Sequence, residues 1–194
     1  MRKYLGYMIS SWKYILIVTG IFIISLVTGL LLSFQDVGLP ENYLEALKKS
    51  FGWIKDLSPI SIVLVIFLNN AVKSLFAIVL GAGFGIIPIL FVSVNGLIVG
   101  LIANEVSKEQ GITYVLAALV PHGIIEIPMI LISAGLGLRL GFLMYLSIKG
   151  EKKDMRSELM ESLHLFMRLI MPLLFVSAII ETFVTPFIVL LVSG

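Results

Sequence analysis

Residues 14–34, YILIVTGIFIISLVTGLLLSF, run 21 positions without a charged side chain. As a helix rising 1.5 Å per residue this stretch is about 30 Å long, the thickness of a bilayer's hydrocarbon core. It is too long for the apolar segment of a signal peptide. Although Met1-Arg2-Lys3 gives it a signal-like basic start, no small-residue cleavage site follows, so it reads as an uncleaved membrane span.

The rest of the chain agrees. Of its 194 residues 59% are hydrophobic and 13% charged, with a mean hydropathy of +1.08. Soluble domains carry about 25% charged residues, so this composition cannot cover a water-facing surface. With no polar block long enough to fold separately, an all-α, polytopic transmembrane helical bundle forming one membrane domain over 1–194 is expected. There are no cysteines, which excludes disulfides, thiolate metal sites and a thiol nucleophile.

Outward from the first span, about 40–56 is predicted to be an amphipathic helix on the membrane surface. There Tyr43, Leu44, Leu47, Phe51 and Ile54 recur at helical spacing among Glu41, Glu45, Lys48, Lys49, Lys55 and Asp56. A second span, 58–80, opens at Ser58-Pro59, since proline suits a first helical turn. A glycine-rich break at Gly81–Gly85 leads to a third span, 84–103, followed by a polar loop from Asn104 to Gly111. The segment from Ile112 to Ser147 is longer than the bilayer requires. Pro121-His122-Gly123 predicts a break inside it, leaving a half-helix at 112–120 and a full span at 124–146. A charged linker, Lys149 to Glu161, precedes a last span at 169–192. Arg2, Lys3, Lys13, Lys149, Lys152, Lys153 and Arg156 outnumber Lys48, Lys49, Lys55 and Lys108 on the other side. The first group is expected to be cytoplasmic, with the N-terminus inside and the C-terminus outside.

Small residues recur every fourth position: Ser25, Gly29 and Ser33; Ala77, Gly81 and Gly85; Gly96 and Gly100; Ser133, Gly137 and Gly141. Such stripes let helices approach closely in lipid, and packing is their expected role. The ionisable residues within spans are Lys73, His122, Glu126, Arg139 and Glu181. Each costs a few kcal/mol at a helix centre unless paired or hydrated. His122 and Glu126 are one helical turn apart, as are Asn69 and Lys73, and Asn69, Asn70, Lys73, Asn95, His122, Glu126, Arg139 and Glu181 form an expected functional polar cluster facing inward. The cluster can lock helices in register, serve a proton or ion path, or mark a docking surface. No metal site is expected, because one His and one Glu fall short of the three or four ligands zinc takes and no H-E-x-x-H is present. Arg139 and Arg168 are expected to reach headgroups.

No phosphate-binding loop, nucleophile elbow or nucleotide-holding domain is present, and the basic residues are too dispersed for nucleic acid. No enzymatic activity or cofactor is expected. Asn69-Asn70, Gly81, Gly85, Asn95-Gly96, Gly100, Pro121-His122-Gly123, Glu126, Pro128, Gly135 and Leu138-Arg139-Leu140-Gly141 resemble the stage II sporulation protein M family of integral membrane proteins. The resemblance covers about Phe67 to Gly141. It implies a noncatalytic scaffold or assembly component in the bilayer, working with other membrane proteins or itself, as its namesake assembles with cell-wall-degrading partners. The alternative is a channel or secondary transporter using the polar cluster.

Overall fold

The computed structural model describes residues 2–34 and 57–193. The surface helix expected at 40–56 lies outside them. Among the described residues there is no strand, and the helices are α1 (Arg2–Ser10), α2 (Trp12–Phe34), α3 (Pro59–Val79), α4 (Ile86–Gln110), α5 (Ile112–Ile148) and α6 (Met155–Ser193). From α2 to α6, five helices are long and apolar enough to cross a membrane.

The largest departure from the sequence reading is at Pro121. There is no half-helix and no break: α5 is one helix of 37 residues with Pro121 and Pro128 inside it. A proline within a helix forfeits one hydrogen bond and strains one turn, roughly 3 kcal/mol. Unwinding 121–123 in lipid would expose several backbone groups, each costing several kcal/mol, so continuity is the cheaper outcome. Two smaller differences have similar causes. The polar loop expected from Asn104 is helix up to Gln110, held to the end of α2 where Lys108 Nζ donates to the Ser33 carbonyl (2.8 Å) and Glu105 accepts from the Ser33 hydroxyl. The linker after α5 shortens because Asp154 caps α6, accepting from Ser157 N at 3.0 Å.

α5 is the central element and contributes to both hydrophobic cores. On one side Met129, Leu136 and Leu140 pack with Ala71 and Ile78 of α3 and Leu165, Ile170 and Leu174 of α6. On the other, Leu131 and Ala134 pack with Val18 and Phe22 of α2 and Val92 of α4. The small-residue stripes make the contacts expected of them. A Cβ at Gly137 would lie 2.0 Å from the Ala77 carbonyl oxygen, and one at Gly100 would lie 2.1 Å from that of Leu26. The helix backbones therefore touch, gaining dispersion energy that bulky side chains would prevent. The α3–α4 turn closes in left-handed conformations at Phe84 (φ 61°) and Gly85 (φ 73°), with Gly141 packed beneath it. Side chains such as Ile24, Ile60, Ile124 and Leu190 stay exposed, as a lipid-facing surface requires.

α6 contains two π-helical turns, Phe166–Ile170 and Ile180–Val184. Each ends two residues before a proline, Pro172 or Pro186. A widened turn makes room for a ring that can neither donate to nor sit against the carbonyl four residues back.

Candidate polar site at membrane depth

The spans alternate in direction, so the starts of α3 and α5 and the ends of α4 and α6 belong to one face of the bundle. Counted from Pro59, Gln110, Ile112 and Ser193, the residues Asn70, Lys73, Asn95, Glu126 and Glu181 lie eleven to fifteen positions in. That is one layer about 17–22 Å from that face at 1.5 Å per residue.

Within this layer α5 and α6 bring His122, Glu126 and Glu181 together. One ligand-capable atom from each lies within 4.8 Å of the other two, and all three residues are half-buried. His122 and Glu126 share an α5 face because they are one turn apart. Glu181 reaches them from the second π-helical turn of α6, a device frequent at functional sites. Hydroxyls of α6 hold the group. Ser177 Oγ is 3.2 Å from the His122 carbonyl and 3.3 Å from Glu126 Oε2, and Thr185 Oγ1 is 3.4 Å from His122 Nδ1. The buried Asn70 side chain approaches Glu126 from α3, and Lys73 acts on the same carboxylate through space. Asn69 is exposed and donates to Asn70 Oδ1 at 3.3 Å. Asn95 binds its own helix, donating to the Phe91 carbonyl at 2.7 Å. It lies with Lys73 along a groove of about 390 Å³ between α3 and α4.

Arg139 is not part of this group. Thirteen positions beyond Glu126 on α5, it lies near the other face, where it forms an ion pair with Glu158 (2.9 Å) and donates to Ser10 and Ser11. Its guanidinium stacks 4.5 Å from the Tyr7 ring centroid, and the Tyr7 hydroxyl bonds to Glu158 and Ser162. The expectation that Arg139 joins the polar cluster and reaches headgroups is thus corrected, and Glu158 and Tyr7 could not be named beside it from spacing, since their pairing joins α1, α5 and α6. Ser177 and Thr185 were overlooked as well. Their signal was legible: Ser177, Glu181 and Thr185 repeat every fourth position.

Five apolar helices with a polar layer at depth define a multi-pass membrane protein. The family model of stage II sporulation protein M matches residues 15–186, and the chain belongs to that family. The match takes in the first and last spans, beyond the motif-bearing centre. An uncharacterized protein of Methanocaldococcus jannaschii is 31% identical over 123 residues, covering 61% of this chain and 68% of its own length. No solved structure matches the chain significantly.

Proposed function

We propose that the protein is a noncatalytic assembly component of a membrane complex, oriented with its N-terminus in the cytoplasm. Family membership supports this reading, and Lys73 carries it. Lys73 is an exposed side chain on α3, fourteen positions in from Pro59, and it lines the groove with Ile87, Leu90, Phe91 and Val94 of α4. An ammonium facing hydrocarbon at that depth costs a few kcal/mol. A partner's transmembrane helix seated in the groove and bearing a carboxylate offsets that cost and covers the apolar walls. A photo-crosslinker at Val94 in native membranes is expected to give one discrete protein adduct that disappears with Lys73→Met, while a probe at Ile24 gives none. Lipid adducts alone at Val94 would sink the reading. A reporter fused at Gly194 is expected on the non-cytoplasmic side.

A second reading, a path for protons or ions, is favoured by one observation: two carboxylates on different helices, Glu126 and Glu181, meet at membrane depth. Ionisable groups so placed commonly mark ion pathways. Purified protein in liposomes tests it. A flux abolished by Glu126→Gln would replace the purely structural role, and no flux for any ion tried would remove the path.

A further inference from the structure

We propose that His122, Glu126 and Glu181 form a binding site for one divalent transition-metal cation of the zinc type. The site is independent of either reading above, because a bound ion can lock two helices as readily as it can step along a path.

Geometry supplies the first argument. Donors around a tetrahedral zinc lie about 3.3 Å apart, given bond lengths near 2.0–2.1 Å. The three donor atoms are already within 4.8 Å of one another. Two belong to glutamates, whose rotatable side chains allow a closer approach.

Charge supplies the second. Glu181 has Glu126 as its electrostatic neighbour, and two carboxylates at this depth repel when both are ionised. A dication neutralises the pair and gives a charge-balanced site inside the bundle, which Lys73, acting on Glu126 alone, does not.

Hydrogen bonding supplies the third. One ring nitrogen of His122 lies within 4.8 Å of both carboxylates, and Nδ1 is 3.4 Å from Thr185 Oγ1, a contact that orients the ring. Ser177 Oγ lies 3.3 Å from Glu126 Oε2 and Asn70 approaches the same carboxylate, so Glu126 is held from both α6 and α3. Such outer contacts orient ligands in metal sites generally. The imidazole selects against calcium and magnesium, which take oxygen ligands, and three protein donors leave one position open for water or a passing group.

The test uses the whole chain, purified through a tag without histidines, stripped with EDTA and titrated with Zn²⁺ by calorimetry and with Co²⁺ by visible absorption. We expect one saturable equivalent per chain and a Co²⁺ spectrum distinct from the aqueous ion. Glu181→Gln and His122→Asn should each weaken binding at least about 100-fold, and Thr185→Val about tenfold through loss of ring orientation. Glu151→Gln, an exposed residue between α5 and α6, should bind as wild type. The proposal is overturned if the wild-type protein gives no saturable binding, if Co²⁺ keeps its aqueous spectrum, if Glu181→Gln binds undiminished, or if Ca²⁺ competes on equal terms. The wild-type Co²⁺ spectrum decides the matter even where a variant fails to fold.

Discussion

The molecule holds two polar clusters on the same central helix, built to opposite rules. Near one face, Arg139 and Glu158 cancel each other's charge, Ser10 and Ser11 accept from the guanidinium, and the Tyr7 hydroxyl bonds to Glu158 and Ser162. At depth from the other face, Glu126 and Glu181 lie together with His122, Ser177, Thr185 and Asn70, and among the described residues the cation that acts on Glu126 is Lys73. The first is an ion-paired, hydrogen-bonded network, which rigidifies the place where α1, α2, α5 and α6 meet. The second brings two carboxyl groups and an imidazole together with no ion pair among them, as expected of a group that binds something.

The contrast can be broken at several points. The largest effect is expected where α5 supports the deep cluster through close packing. Gly137→Leu drives a side chain into the Ala77 carbonyl, pushing α3 and its Asn70 away. A loss of about 3 kcal/mol or more is expected in detergent unfolding, since overpacking costs roughly 1–3 kcal/mol even where side chains can yield and here the neighbour is backbone.

Next is Arg139→Ala, which strands Glu158. Breaking a fully buried pair costs about 3–5 kcal/mol, and because Arg139 and Glu158 keep 14% and 26% side-chain exposure, about 2–3 kcal/mol is expected here. An Arg139→Ala protein as stable as wild type would mean that the network contributes nothing.

A pH dependence comes third. Burial pushes the Tyr7 phenol up to about 12 from its ordinary 10.0, with Glu158 acting in the same direction and Ser162 and Arg139 opposing. The unfolded chain releases that proton near pH 10 and the folded chain holds it to about 12, so this contribution is whole below pH 10 and is lost between 10 and 12. Melting temperatures should fall across that window, and less steeply in Tyr7→Phe.

The smallest stability effect is expected at the deep cluster. Without added metal, Glu181→Gln should change stability by less than about 1 kcal/mol, because it removes a like-charge neighbour together with a polar contact. A loss comparable to that of Arg139→Ala would show the two clusters to be alike.

Much of this was legible in the sequence because it depends on composition and local spacing. The unbroken apolar run at 14–34 needs no partner to be read as a span. Glycines four apart, such as Gly137 and Gly141, must share a helix face, and so must His122 and Glu126. The polar side of α6 was equally open to reading in Ser177, Glu181 and Thr185. Local rules failed where neighbours outvoted them. Proline favours a break at 121, and the cost of bare backbone in lipid overrides it. Only the π-helical turn at Ile180–Val184, together with the packing of α6 on α5, makes Glu181 the third donor beside His122. Only the meeting of α1, α5 and α6 gives Arg139 its acid. The sequence alone thus determined which residues are too polar for lipid and which helix each rides on. Tertiary structure decided their company, because charge pairing and ligand convergence act across a few ångströms between segments that chain order keeps far apart.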